Sequence, residues 1–327
     1  MQNFALRPYD GGMSPSASDP VARAIRERVL AALARNRTPG FHFAGHFLDV
    51  RFHRIAEDES VVSMPHGPHC AESDGEANVG ALALLADTAL AAGIRGHSGP
   101  DVRLATVSMH LQFTGAPVTG PLEAKGWFEG FLDGTAGRQG LSRCAVMAGG
   151  RKALFGSGAF MPIGPASGRK PLPLFHPSGE AVAPLHEEEL EDRERIILAR
   201  ADDALARATK HHSFIRRLLG QDPHPTKGGA ACTMENGEHV ANRIGHVQGG
   251  LLTGLAATTA MAALPASWRL SGISSWFTSP GEGQKLHAVA KVVHHGRTTA
   301  VVRTVVTGKG RRRVLQAVST HALARAD

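Results

Sequence analysis

Two apolar stretches of the chain carry the residues best suited to chemistry. The stretch VGALALLADTALAAGI is interrupted by one carboxylate, Asp87, whereas GHVQGGLLTGLAATTAMAAL has Ala257 at that place and begins near the pair Gly249–Gly250. A carboxylate among apolar neighbours has a raised pKa and can accept a proton near neutral pH. The free N–H groups of a helix start can stabilise a developing oxyanion. The two stretches therefore hold complementary parts of one site.

These stretches belong to a repeat that covers most of the chain. An offset of 170 residues superposes Gly75 on Gly245. Each stretch follows an amphipathic helical pattern, Val21–Asn36 or Glu187–Gly220, and precedes segments that alternate apolar and polar residues as strands do. A helix that is apolar on all sides must be enclosed, and an antiparallel sheet can wrap around it. The pattern predicts an α+β fold built from two similar units.

A segment rich in proline, glycine and serine separates the two units. Its sequence, GPASGRKPLPLFHPSGEAVAP, is typical of a linker. We therefore predict an N-terminal domain at residues 20–163, a linker at residues 164–186 and a C-terminal domain at residues 187–327.

The start of the second apolar stretch resembles hotdog-fold thioesterases of the phenylacetate-degradation (PaaI-like) type. That family has an Asn, then a His-Gly-Gly motif, then an acidic residue along the helix. The segment NRIGHVQGGLL matches the Asn at Asn242 and the glycines at Gly249 and Gly250, with Gln248 in place of the His. The first stretch keeps the complement, because Asp87 falls on the acidic position. The resemblance implies two tandem hotdog domains, each an antiparallel sheet around a long central helix, paired as a pseudo-dimer.

The motif is split between the two helices. Nine residues of helix rise about 13–14 Å, so the acid and the glycine pair cannot meet on one helix but can meet across two antiparallel helices. The reciprocal pairing keeps almost none of the motif, since Ala257 replaces the acid, and Glu72 and Asn78 stand at the Asn and His positions. We therefore predict one composite site, with these members: Asp87, Asn242, Gln248 and Gly249.

The resemblance implies that this site hydrolyses an acyl-CoA thioester to a free acid and coenzyme A. Asp87 would be a general base for water or a nucleophile, and the Gly249 N–H would be the oxyanion donor. Asn242 or Gln248 would add an amide donor or hold the loop, and Thr106 would orient the water. Contacts with the substrate are further predicted for Gly250 and, at coenzyme A phosphates, for Arg138 and Arg297.

Two other functions stay open. A catalytically inactive acyl-CoA binding or sensing protein is compatible with the absent His. A double-hotdog enoyl-CoA hydratase would need a His five residues after the Asp, where the chain has Ala92. The acyl chain, and the choice between coenzyme A and acyl-carrier protein, also stay open.

The composition narrows the partners. With 42% hydrophobic and 20% charged residues the chain is typical of a soluble globular protein, and its net charge of +7 favours an anionic small molecule such as acyl-CoA. One Tyr and three Trp leave little surface for base stacking, so we expect no nucleic-acid partner.

Targeting and metal signals are weak. We expect no membrane span, because no uninterrupted apolar run reaches the ~18–20 residues that a span needs. Three scattered cysteines and no evident signal peptide predict a reduced, cytoplasmic protein. The histidines of HGPHC (His66–Cys70) lack a second ligand pair, so we predict neither a metal nor a cofactor apart from the coenzyme A of the substrate. Pairing of two copies into a homodimer of pseudo-dimers is compatible with such a fold.

Overall fold

The structure is a computed structural model that describes residues 19–38, 40–99, 102–134, 137–163 and 182–324. Residues 164–181, which make up most of the predicted linker, lie outside the described residues, as do residues 325–327 at the end of the predicted C-terminal domain.

The first half of the chain begins with a capped amphipathic helix. The Asp19 side chain accepts a hydrogen bond from the Val21 N–H at 2.9 Å, and Pro20 occupies the first helical position, where a missing N–H costs nothing. In chain order the elements are α1 (Pro20–Asn36), α2 (Phe43–Phe47), β1 (Arg51–Arg54), β2 (Ser60–Met64), α3 (Val79–Ser98), β3 (Arg103–Phe113), β4 (Leu122–Gly134), β5 (Gly137–Ala148) and β6 (Arg151–Ile163).

The second half has the same order of elements. They are α4 (Asp192–Ala206), α5 (Phe214–Leu219), β7 (His224–Thr226), β8 (Gly229–Glu235), α6 (Gly249–Met261), β9 (Trp268–Phe277), β10 (Lys285–His295), β11 (Thr299–Thr307) and β12 (Arg313–Leu323). Short 3-10 turns lie at Glu187–Glu189 and Lys309–Arg311.

The prediction of one continuous helix over Glu187–Gly220 is wrong. The chain leaves the helix after α4 and makes a tight turn in which Thr209 and His212 exchange backbone hydrogen bonds. A new helix then begins at Ser213, whose hydroxyl caps α5 by accepting from the Arg216 N–H. Local capping residues therefore divide a segment whose charge pattern is continuous.

The strands of the described residues all belong to one antiparallel sheet, in the order β1-β2-β4-β5-β6-β3-β9-β12-β11-β10-β8-β7. Counted from each edge of the sheet to its centre, the strands of the first half and their counterparts in the second half occur in the same order. β3 and β9 pair at the centre, where Ser108 lies opposite Trp276 and Gln112 opposite Gly272. The repeat in the sequence is thus accompanied by a repeat in the topology.

The two apolar helices pack side by side against this sheet and run antiparallel. A Cβ added at Gly250 would lie 2.5 Å from Leu84 Cα, and one at Gly254 would lie 2.4 Å from Gly80 Cα. Only glycine permits backbones to approach this closely. The spacing of these contacts brings Asp87 of α3 beside the residue that precedes α6.

Helix α3 is enclosed by the protein. Over residues 79–98 it is long and apolar enough to cross a membrane, with a mean hydropathy of 1.4, but 83% of that window is buried. Its buried face and that of α6 belong to one hydrophobic cluster that also contains residues of α1, α4 and both halves of the sheet. The two halves therefore share a core.

Candidate active site

Asp87 lies in the middle of α3 and is buried, with 6% of its surface exposed. It is flanked along the helix by apolar residues that face the shared core. A charged carboxylate at such a place is stable only if it accepts hydrogen bonds.

Both carboxylate oxygens of Asp87 accept hydrogen bonds from other elements. The Thr106 hydroxyl on β3 donates to Oδ1 at 3.0 Å, and Gln248 Nε2 donates to Oδ2 at 2.6 Å. Gln248 comes from the other half of the chain, 161 residues away. The structure therefore brings Asp87, Thr106 and Gln248 together, in a network with one oxygen held from each side.

Burial raises the pKa of Asp87 to about 6. The Thr106 and Gln248 hydrogen bonds, the charge of Arg95 and the backbone N–H of Gly250 oppose this rise by stabilising the carboxylate. Asp87 is consequently ionised at pH 7 and yet basic enough to accept a proton.

The start of α6 presents a backbone donor beside this carboxylate. Gln248 caps the helix, because its Oε1 accepts from the Leu251 N–H at 2.9 Å while its Nε2 binds Asp87. The N–H of Gly249 makes no hydrogen bond to any described residue. A Cβ added at Gly249 would lie 2.7 Å from Thr106 Oγ1 and 3.5 Å from Asp87 Oδ1. The glycine thus keeps open the space between the helix start and the carboxylate.

A cavity of about 490 Å³ opens beside Asp87, Thr106 and Gly249. Side chains of both halves line it: apolar residues include Phe41, Ala91, Leu104, Phe160, Leu252 and Phe277, and cationic residues are Arg95, Arg103 and Arg243. A cavity of this volume and mixed lining is typical of small-molecule sites.

Asn242 also lines the cavity, but its side chain holds the loop before α6. Its Oδ1 accepts from the N–H groups of Ile244 at 3.0 Å and His246 at 3.2 Å. Asn242 thus holds the loop through its Oδ1, and donation from its Nδ2 to the substrate stays a prediction. Gln248 caps the helix and binds Asp87.

The structure does not place Gly250 in the cavity wall. One residue along a helix turns the side-chain direction by about 100°, and this rotation directs Gly250 onto the backbone of α3 instead of the cavity. Gly250 therefore serves helix packing on its Cα side, while its N–H acts on Asp87, and its contact with the substrate stays a prediction.

The two arginines predicted at coenzyme A phosphates do not line this cavity either. Arg138 donates to Asp133 at 3.1 Å and lies over the Phe131 ring at 3.9 Å. Arg297 is exposed in the turn after β10, whose last residue, His295, packs on Trp268 beyond the far end of α6. Arg138 lies near the start of β5 and Arg297 in the turn after β10, and neither residue is part of the described cavity wall.

The cationic residues of the cavity were not predicted from the sequence. Arg95 follows Asp87 by two intervals of four residues, the spacing that places side chains on one helix face. That spacing was a usable signal. Arg243 directly follows the predicted site residue Asn242, which was a second usable signal, whereas nothing local distinguishes Arg103 from a solvated arginine.

The corresponding start of α3 has a different environment. Asn78 caps this helix by accepting from the Gly80 and Ala81 N–H groups, and its Nδ2 donates to Glu72 of its own loop. Glu72 also pairs with Arg216 at 2.8 Å and accepts from Ser213 at 2.9 Å. Ala257 of α6 has the position relative to the α3 start that Asp87 of α3 has relative to the α6 start.

Comparisons with known proteins support the fold. Neither the known protein families nor the curated proteins include a match. Among solved structures, the tesB protein of Mycobacterium avium subspecies paratuberculosis is 11% identical, with a TM-score of 0.50 over 84% of this chain and 96% of its own. A protein with a hot dog fold from Alicyclobacillus acidocaldarius is 10% identical, with a TM-score of 0.50 over 85% of this chain and 96% of its own.

A third structure, provisionally named a thioesterase, comes from Novosphingobium aromaticivorans. It is 14% identical, with a TM-score of 0.51 over 84% of this chain and 98% of its own. At these identities the similarity concerns the fold alone. The chain has a hotdog fold that extends over most of its length.

Proposed function

We propose that this protein is an acyl-CoA thioesterase with a single composite site between its two halves. The observation that carries the proposal is the juxtaposition of the buried carboxyl group of Asp87 with the N–H of Gly249, which bonds to no described residue, at the wall of a cavity. A base and an oxyanion donor on either side of one space are the two groups that hydrolysis of a thioester requires.

In the proposed reaction, a water molecule between Asp87 and the substrate attacks the thioester carbonyl carbon. The carboxylate takes the proton of that water as the new C–O bond forms, and the carbonyl oxygen becomes an oxyanion that accepts from the Gly249 N–H. The tetrahedral intermediate then collapses with cleavage of the C–S bond. The departing thiolate takes the proton from Asp87, so that a free acid and coenzyme A leave the site.

The contacts of Asp87 favour a general base over a nucleophile. Its two oxygens are already held by Thr106 and Gln248, so attack on the substrate would weaken one of these hydrogen bonds. A single turnover in ¹⁸O-water distinguishes the two. With a general base the label appears only in the product acid, whereas a mixed anhydride that water opens at the Asp87 carbon leaves label in the Asp87 side chain. An anhydride that water opens at the acyl carbon is detected by borohydride trapping, which converts Asp87 to homoserine.

The cavity supports an acyl-CoA as the substrate. Its apolar residues suit an acyl group, and its arginines, with the net charge of +7, suit an anionic ligand. The repeated strand order supports two tandem hotdog domains paired as a pseudo-dimer. The thioesterase name of the Novosphingobium aromaticivorans protein agrees with the proposed activity. The PaaI-like type and the pairing of two copies remain predictions.

The test is release of free thiol from a panel of short, medium and aromatic acyl-CoAs. Steady release by the wild-type protein, abolished in Asp87→Asn, would support the thioesterase. Binding of acyl-CoA without release in either protein would support the sensor. Release that is unaffected by the substitution would remove Asp87 from the mechanism.

A further inference from the structure

A guanidinium group lies in the wall of the same cavity, two helical turns beyond Asp87. Asp87, Ala91 and Arg95 follow one another at intervals of four residues along α3, and all three line the cavity. Long helical side chains lean toward the N-terminus of their helix, so the Arg95 side chain is inclined toward Asp87. The charge of Asp87 accordingly acts on Arg95.

Arg95 is partly exposed, and its guanidinium has no close partner among the described residues. Its Nε is shielded from solvent and donates to no described acceptor. Cations shielded from water are normally paired or hydrogen-bonded, but Arg95 forms no hydrogen bond or close ion pair with a described residue, and Asp87 acts on it only at longer range.

The surrounding charges make an anionic ligand favourable. Among the described residues that line the cavity, the only carboxylate is Asp87, whose oxygens already bind Thr106 and Gln248. Arg103 lines the same wall, and the charge of Arg243 repels that of Arg95. Burial and this repulsion lower the pKa of Arg95 to about 10, and an anion between these guanidinium groups would relieve both effects.

We propose that Arg95 binds a carboxylate at the far end of the acyl group, so that the substrates are ω-carboxyacyl thioesters. This inference rests on the proposed thioesterase function. A guanidinium is suited to a carboxylate because its N–H groups match the two oxygens. Arg95 would be a specificity-determining residue, not a catalytic one, because it lies about 12 Å along the helix from Asp87.

The same guanidinium could instead bind a phosphate of coenzyme A. The position of Arg95 on α3 favours the acyl carboxylate. Arg95 lies on the same helix face as Asp87 and only two turns away, while the pantetheine arm separates the phosphates from the reacting carbonyl.

The experiment compares two acyl groups that differ only in the terminal carboxylate. We would measure kcat/KM for adipyl-CoA and hexanoyl-CoA with the wild type, with Arg95→Met, which retains the apolar part of the side chain, and with Arg95→Lys, which retains the charge. Arg138→Met is the matched control, since it removes an arginine that does not line the cavity. The thioesters of adipate and hexanoate with N-acetylcysteamine, which carry no phosphate, form the second arm.

For the wild type we expect a preference for adipyl-CoA of about 30-fold or more. Arg95→Met should remove most of this preference through slower adipyl hydrolysis, with less than about threefold change for hexanoyl-CoA. Arg95→Lys should keep part of it, and Arg138→Met all of it. The preference should persist with the N-acetylcysteamine thioesters.

Other results would overturn the inference. Equal rates for the two acyl groups in the wild type would do so. So would a loss in Arg95→Met that affects both coenzyme A substrates and neither N-acetylcysteamine thioester, because Arg95 would then bind a phosphate.

A failure of the proposed function is distinguishable from a failure of this inference. If no thioester is hydrolysed, calorimetry of adipate and hexanoate binding tests Arg95 alone. Binding of adipate by the wild type and not by Arg95→Met would support the carboxylate site without hydrolysis, and binding of neither acid would overturn it.

Discussion

The starts of α6 and α3 use the same capping chemistry with opposite results. In each, a side-chain amide caps the helix through its oxygen and donates through its nitrogen to a carboxylate. Gln248 reaches across to Asp87 of the other half, whereas Asn78, which is one methylene shorter, reaches Glu72 of its own loop. The amide at the α6 start therefore binds a carboxylate of the other half, whereas the amide at the α3 start binds a carboxylate of its own loop.

The surroundings of the two helix starts also differ. The α6 start borders a cavity, whereas the α3 start is filled by the fully buried Gln221, whose Nε2 donates to the Leu251 carbonyl at 3.1 Å. The Oε1 of Gln221 lies 2.4 Å from where a Cβ of Gly80 would be. A repeated helix start thus became a candidate active site only where a cross-helix carboxylate and open space coincide.

The largest expected effect comes from substitution of Asp87, the α3 carboxylate that lies beside the α6 start. Asp87→Asn keeps the size of the side chain and removes the base, so we expect kcat for thiol release to fall about 10³-fold. Circular dichroism would verify that the variant is folded. Retention of more than a tenth of the wild-type rate would contradict the role of Asp87.

Gly249→Ala tests the oxyanion donor. The added methyl group would approach Thr106 Oγ1 and occupy the space between the helix start and Asp87. We expect kcat to fall about 10²-fold, the usual effect of losing one oxyanion contact. Val79→Ala is the matched change at the α3 start and should leave the rate unchanged. Equal rates of thiol release in Gly249→Ala and Val79→Ala would contradict a special role of the α6 start in the reaction.

The pH dependence tests the environment of Asp87. A general base acts only when deprotonated, so kcat/KM should rise with pH, reach half its maximum near the Asp87 pKa of about 6, and level off above it. Thr106→Val removes a hydrogen bond that lowers this pKa, so the midpoint should move to higher pH and activity should fall more at pH 6 than at pH 8. An unchanged midpoint in this variant would argue that another group is titrating.

The smallest expected effect on the reaction comes from the α3 start. Glu72→Gln would break the ion pair with Arg216 and weaken the contacts to Asn78 and Ser213. We expect the free energy of unfolding to fall by about 1–3 kcal/mol, measured by urea denaturation, and the rate of thiol release to stay the same. A loss of activity beyond about threefold would show that this start takes part in the reaction.

Much of the fold and part of the site could be predicted from the sequence because both rest on local patterns. The repeat, the alternation within strands and the two apolar helices follow from residue periodicity. The approach of Gln248 and Gly249 to Asp87 follows from the antiparallel arrangement of these helices. The division of Glu187–Gly220 was not predicted, because a short capped turn outweighs a continuous charge pattern.

The sequence by itself determined that a lone carboxylate and a glycine-led helix start lie on equivalent stretches of a repeat. Only the tertiary structure decided how they are used: that Gln248 binds Asp87, that Gln221 fills the opposite start and that Arg95 lines the cavity. The physical reason is that periodicity reports on residues within a few positions of one another. These decisions depend on contacts between separate helices and strands, such as the hydrogen bond between residues 161 positions apart.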